Sequence, residues 1–381
     1  MELIKFGKLE KLAKKSLNKK DRSAAQVVVQ DVVDIKKGER LLIIANPATS
    51  SIAQELYLAA SELEAIPTLI FQNDKTSFDN ANPEVIAAIK TEPDVCFSIS
   101  NVKLGKDAEA QANPYVAEDG QKYPHIFDYL LDGKKTMRAI WTPGITEDML
   151  NRTANIDYEE LKERCVNLKK IFDGAKSVHV TAPGGTDVEI HIQGRELLFD
   201  DGDFTKPGAG GNIPAGEVFI SPVVGKTNGV IVYDGSMTFS DGDALLEEPI
   251  TCVVEEGFVT SITGGASAKR LLKTITEAES KPALMEKEKK LQPEQAPVYK
   301  RNARNIGELG IGLNPAAQIT GNMLEDEKAF HTCHFAIGEN YDNDAPALIH
   351  LDGVVREPTI TINYADKESV TILENGNLII K

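Results

Sequence analysis

From Gly38 to Trp141 short apolar runs alternate with stretches whose apolar residues recur at helical spacing. Leu41–Ala45 (LLIIA) has the texture of a buried strand. Ser51–Leu63 follows as a helix, with Ile52, Leu56, Leu58, Ala59 and Leu63 roughly at helical spacing. Thr68–Phe71 predicts a strand, Pro83–Ile89 a helix, Val95–Ile99 a strand, Ile126–Leu131 a helix and Met137–Trp141 a strand. Strands separated by helices of this length cannot form hairpins. They predict a parallel sheet with helices on both faces, a doubly wound α/β domain.

Tyr158–Phe172 carries Leu161, Cys165, Leu168 and Phe172 on one helical face and links two regions of different texture. After Gly174 the pattern is dominated by strands: Val178–Thr181, Val188–Ile192, Glu217–Ile220, Val230–Tyr233, Ile250–Val254 and Phe258–Ile262. A helix is expected from about Ala268 to Leu291. Strands then follow around Leu309–Leu313, His334–Ile337, Ala347–Asp352, Thr359–Ile362 and Leu378–Ile380. The chain of 381 residues therefore divides into an α/β domain at 1–155 and a β-rich α+β domain at 156–381.

A net charge of −16 argues against a nucleic-acid partner, because phosphate contacts need a basic face. No apolar run approaches the ~20 residues of a membrane span. Met1–Lys20 is Lys-rich without an apolar h-region, which argues against a secretory signal and predicts a surface helix with Leu3, Leu9 and Leu12 facing inward. Cys96, Cys165, Cys252 and Cys333 form no CxxC, as expected of reduced thiols in a cytoplasmic protein. There is no GxGxxG after a strand and no GxxxxGK[ST]. The cluster Gly208-Ala209-Gly210-Gly211 precedes no obvious helix, so it is not a phosphate loop. The acidic run Asp200-Asp201-Gly202-Asp203 is expected to be a turn rather than a calcium loop.

Three of the six histidines, His331, His334 and His350, fall close together, in company with Glu325, Asp326, Glu327, Tyr341 and Asp352. Imidazole and carboxylate together are typical ligands of Zn, Co, Mn or Fe. Side chains alternate along a strand, so His350 and Asp352 share one face while Ile349 and Leu351 take the other. His334 shares a face with the small residues Ala336 and Gly338, and Glu308 with Gly310 and Gly312. His331 has the opposite parity to His334 and is not chosen as a ligand. Glu308 and Glu217 lie in apolar strands, where a carboxylate is costly unless paired or coordinating.

Several segments are similar to signatures of the M29 metallopeptidases (aminopeptidase T-like proteins). Gly211-Asn212-Ile213-Pro214-Ala215-Gly216-Glu217-Val218-Phe219-Ile220-Ser221-Pro222 resembles their NLPxGEVFxxP. Asn305-Ile306-Gly307-Glu308-Leu309-Gly310-Ile311-Gly312-Leu313-Asn314-Pro315 resembles AELGIGxNP. Glu325 to Lys328 followed by His331 to Gly338 resembles DEKxxGTxHIALG, Ile349 to Asp352 the closing IHxD, and Gly185-Thr186-Asp187 the GTD turn. The motifs occur in the family's order, from about Ile35 to the C-terminus.

The resemblance implies a dinuclear centre of two divalent ions (Zn, Co or Mn) on Glu217, Glu308, His334, His350 and Asp352. Glu308 would bridge and act catalytically, and Tyr341 would match the active-site tyrosine, donating to a developing oxyanion. Glu327 is placed as a neighbour of the ligands or a general base. The implied reaction is removal of N-terminal residues from small peptides by a metal-bridged hydroxide, in a homodimeric enzyme. Two departures stand out: His331 replaces the family glycine, and the Tyr341 to His350 segment is shorter than in the peptidases. Two alternatives accompany this expectation. One is a mononuclear Fe(II) ring-cleaving dioxygenase of the dihydroxypyridine type, whose members resemble this fold but carry histidine at the Glu308 position and do not use the counterparts of Glu217 and His334 as ligands. The other is a non-catalytic metal- or ligand-binding relative.

Overall fold

Leu41, Ile43 and Ala45 face one core cluster, while Leu42 and Ile44 face another. Burial on both faces is the mark of a strand inside a parallel sheet. The computed structural model describes residues 22–76 and 79–380. The expected helix over Met1–Lys20 lies outside the described residues. Strands β1 (Arg40–Ala45), β2 (Ile66–Phe71), β3 (Val95–Ile99) and β4 (Arg138–Trp141) are parallel. The sheet runs in the order β4-β3-β1-β2 and gains a fifth strand beyond β4, β5 (Gly210–Asn212), from the second half of the chain. The doubly wound arrangement is thus present.

The strand β5 explains the glycine cluster. A β-carbon on Gly210 would sit 2.7 Å from the Ala139 carbonyl, and one on Gly211 2.4 Å from the Phe204 ring. Close packing against β4 and Phe204 occupies these glycines, not a phosphate.

Two large antiparallel sheets and a two-stranded ribbon, Tyr115–Val116 with Lys122–Tyr123, complete the fold among the described residues. One has eight strands, with Ser177–Thr181 paired to Asp187–His191 and to Thr359–Asn363 near its middle. The other has seven and carries the candidate chemistry. Its inner strands are β6 (Glu217–Ile220), β7 (Ile306–Gly312), β8 (Thr332–Gly338) and β9 (His350–Arg356), in the spatial order β9-β8-β7-β6. Every residue of β7 and β8 is buried. Cys333, Phe335 and Ile337 on one face of β8 join the larger core, each large side chain contributing about 1.5–3 kcal/mol of burial free energy.

Several boundaries differ from the sequence expectation. The long helix spans Ala266–Lys287 and a separate helix covers Gln295–Asn302. The last expected strand is only Asn377–Leu378, and β9 starts at His350 because residues 347 to 349 are irregular. The Ile126 helix makes a single α-turn and continues as a π-turn over Tyr129–Gly133. The four cysteines are buried and unpaired. Among the described residues no helix is long and apolar enough to cross a membrane.

Candidate metal centre

The register of the seven-stranded sheet brings the acidic and imidazole side chains onto one face. Glu217 pairs with Gly312, Gly310 with His334, Glu308 with Ala336, Ala336 with Asp352 and Gly338 with His350. Directly paired residues project to the same side. Glycine or alanine beside each polar residue leaves the face open where the larger groups converge. The fit is tight at Gly310, where a β-carbon would lie 1.9 Å from His334 Nε2.

All five sequence-derived ligand candidates meet there, joined by Glu327. Glu308 lies between two imidazoles, with Oε1 3.2 Å from His334 Nε2 and Oε2 3.1 Å from His350 Nε2. Glu217 Oε2 is 3.4 Å from His334 Nε2, and Asp352 Oδ1 is 3.4 Å from His350 Nε2. Two groups of potential ligand atoms result: Glu308, His350 and Asp352, and Glu217, Glu327 and His334, each within 4.8 Å of one another. His350 Nδ1 donates to the Glu339 carbonyl at 2.9 Å, so in the neutral ring the lone pair is on Nε2, facing the carboxylates.

Electrostatics shows the same design. Burial raises the Glu308 carboxyl, but its interactions with His334 and His350 outweigh this and hold it below the usual range. Asp352, also raised by burial, is pulled down to about 2, chiefly by His350. His334 is lowered by burial yet carried up to about 9 by Glu308 and Glu217. Glu327 is pushed up to about 8 by burial, against the pull of Lys328. Glu217 Oε2 and Glu308 Oε2 are buried, with only the imidazoles of His334, at 3.4 Å, and His350, at 3.1 Å, beside them. Buried carboxylate oxygens need a cation beside them, the imidazolium rings in the metal-free cluster or a metal ion in their place.

Lys328 closes the Glu325–Lys328 motif. Its side chain is wholly buried, and Nζ lies 2.6 Å from Glu217 Oε1 and in close contact with Glu327. The other acids of that motif face elsewhere. Glu325 pairs with Arg152, and Asp326 accepts the Thr320 and Gly321 amides. His331 is exposed and bonds the Gly376 carbonyl through Nδ1.

Tyr341 is half-exposed at 53% and sits at the edge of the cluster. Its ring packs 4.9 Å from Phe219 and 5.5 Å, edge to face, from His350. Burial raises its hydroxyl, and the neighbouring carboxylates raise it further, so it stays protonated. The loop behind it is held by Arg195, a residue with no sequence signal. Arg195 lies 3.3 Å from Asp342, bonds Asp344 at 2.7 Å and reaches the Pro222 carbonyl at 3.2 Å. Beside His350 a cavity of about 1020 Å³ opens between β9 and the loops after β3 and β4, touching Val102, Lys103 and Pro143.

The cluster lies on one face of the seven-stranded sheet and offers two groups of potential metal ligands. The profile of the family described as NicX: 2,5-dihydroxypyridine 5,6-dioxygenase matches residues 137–378, and the chain belongs to that family. It is 26% identical over 263 residues to the 2,5-dihydroxypyridine 5,6-dioxygenase of Pseudomonas putida KT2440, a match covering 65% of this chain and 66% of that protein. The structure of 2,5-dihydroxypyridine dioxygenase from the same organism superposes with a TM-score of 0.66 at 18% identity, covering 96% of this chain and 99% of the other. Wild-type AmpT from Thermus thermophilus superposes with a TM-score of 0.63 at 16% identity, covering 94% and 98%.

These matches correct the aminopeptidase expectation. The fold fits both classes, but the family profile and the curated relative are those of a dioxygenase, so the assignments as hydrolase, aminopeptidase and protease do not stand. The physical reason is that these motifs build the strands and the polar face of the seven-stranded sheet. They specify the scaffold and leave the reaction open.

Proposed function

We propose that this chain is a metal-dependent dioxygenase that opens a dihydroxylated pyridine ring, with 2,5-dihydroxypyridine as the first substrate to test. The observation that carries the proposal is the converging Glu308, His350 and Asp352 cluster in a chain of the dioxygenase family. The donor set suits Fe(II): nitrogen and oxygen ligands, with open space on the side of the cavity. Glu308 Oε2, buried and 3.1 Å from His350 Nε2, fits a cation that would take the place of the His350 proton. One departure from the usual pair of histidines and one carboxylate is Glu308 itself. His334, on the other oxygen of Glu308, belongs to the second ligand group with Glu217 and Glu327.

A bound ion of this type supplies the one-electron chemistry that lets dioxygen react with a closed-shell ring. The chain's own groups then have separable tasks. Glu308, His350 and Asp352 hold the ion, and the Glu339 carbonyl fixes the His350 tautomer. Lys328 offsets the charge of Glu217 and Glu327, which keeps the deeper side of the cluster from becoming an uncompensated anion. Tyr341 and Phe219 present aromatic surface beside His350, against which a flat ring can pack. The protonated Tyr341 hydroxyl is a donor for a ring oxygen.

Protein reconstituted with Fe(II) under anaerobic conditions and then exposed to oxygen should consume O2 in step with loss of the ring absorbance of 2,5-dihydroxypyridine. Mass spectrometry under ¹⁸O2 should find both labelled atoms in the ring-opened product. A folded, iron-loaded protein that takes up no oxygen with any dihydroxypyridine isomer would refute the proposal.

A further inference from the structure

A second cavity, of about 490 Å³, lies at the carboxyl ends of β3 and β4, where open parallel sheets characteristically bind ligands. None of the metal-centre residues lines it. It shares only Val102, Lys103 and Pro143 with the cavity beside His350. Its volume falls in the range of small-molecule sites, about 300–1,000 Å³. Its wall is mainly apolar, with Leu104, Leu131 and the half-buried Trp141, whose indole is braced edge to face by Phe127 at 6.2 Å. Two lysines at the rim, Lys103 and Lys106, are matched by Asp128 and Asp132, so the site has no net charge to select an ion.

The polar feature of the wall is a pair of buried hydroxyls. Ser98 and Ser100 are 4% and 3% exposed, and their Oγ atoms are 2.9 Å apart. Their two hydroxyl protons serve one hydrogen bond between them, which leaves one donor for an acceptor in the cavity. A buried donor of this kind costs about 1–3 kcal/mol if it stays unmade. We propose that this cavity is a second binding site, separate from the metal centre, for a neutral planar aromatic molecule that offers a hydrogen-bond acceptor to the Ser98–Ser100 pair.

Trp141 is the single tryptophan of the chain, so its indole N–H gives one resolvable NMR signal inside the site. The experiment titrates benzamide, a neutral planar ring with a carbonyl acceptor, into the full-length, metal-stripped protein. Working without metal makes the result independent of the dioxygenase proposal. The Trp141 signal is expected to shift and saturate. Cyclohexanecarboxamide, which keeps the acceptor but loses planarity, should give no saturable shift, and toluene, which lacks the acceptor, should bind more weakly. Ser98→Ala and Ser100→Ala should each weaken benzamide binding about five-fold, while Glu308→Gln leaves it unchanged. A benzamide shift that is absent or linear overturns the proposal. Equal binding of all three compounds, or loss of binding in Glu308→Gln, overturns it as well, without relying on the serine variants.

Discussion

The imidazole of His334 lies over Gly310 on the neighbouring strand, so closely that a β-carbon at position 310 would be 1.9 Å from Nε2. The cluster depends on this missing side chain as much as on the ligands themselves. In Gly310→Ala the ring must leave its place between Glu217 and Glu308. The variant is expected to lose about 1–3 kcal/mol of stability, the usual cost of overpacking, and to lose the weaker metal-binding step that depends on His334. Denaturant unfolding and a Mn(II) titration of the same sample test this. Wild-type metal binding in Gly310→Ala would remove His334 from the ligand set.

The two ligand groups differ in charge. Among the described residues Glu308 and Asp352 pair with no lysine, whereas Glu217 and Glu327 already share Lys328. The first ion should therefore bind at Glu308, His350 and Asp352, and any second ion more weakly beside Glu217, Glu327 and His334. Calorimetry with Mn(II) should show that His350→Ala abolishes the tight step and that His334→Ala spares it. Lys328→Met leaves two buried carboxylates without their cation and should destabilise the metal-free protein by about 3–5 kcal/mol. An ion located by anomalous scattering at the Glu217 side alone would reverse the assignment.

The metal-free fold holds His334 up at about 9, against an ordinary 6.5, and His350 is raised in the same direction. A raised imidazole contributes stability that is complete below about 6.5 and disappears as pH climbs through about 9. Metal binding needs these rings neutral, so affinity runs the other way. Melting temperature should fall from pH 6.5 to 9 in chelator and fall less, or rise, with saturating metal. Parallel pH profiles for the two forms would contradict this coupling.

Arg195 ties the loop behind Tyr341 to the end of β6 through Asp342, Asp344 and the Pro222 carbonyl. Arg195→Met should free that loop while leaving every metal ligand in place. Faster amide exchange over residues 340 to 345, unchanged metal content and a several-fold higher KM with a smaller effect on kcat are expected, with Arg195→Lys partly restoring KM. If exchange in the loop is unaltered, Arg195 does not hold it.

Much of this architecture was legible beforehand because it rests on local periodicity. The strands around Leu41–Ala45, Val95–Ile99 and Glu217–Ile220 and the helix Tyr158–Phe172 are visible in the apolar pattern alone. Alternation likewise placed His350 with Asp352 and Glu308 with Gly310. What escaped is long-range. Lys328 reaches Glu217 across 111 positions, and Arg195 reaches Asp344 across 149, with nothing nearby in sequence to announce either pair. The reaction class is not legible for a related reason: the motifs shape the strands and the polar face, and both a dioxygenase and an aminopeptidase structure share this fold.

The strand Gly210–Asn212 carries a practical lesson for anyone dissecting the molecule. A fragment ending near residue 155 would keep the first four parallel strands but strip the cover from Arg138–Trp141. Its naked amide row would invite neighbouring chains to zip on, so such a truncation should come out of solution as aggregate rather than as a tidy half-protein.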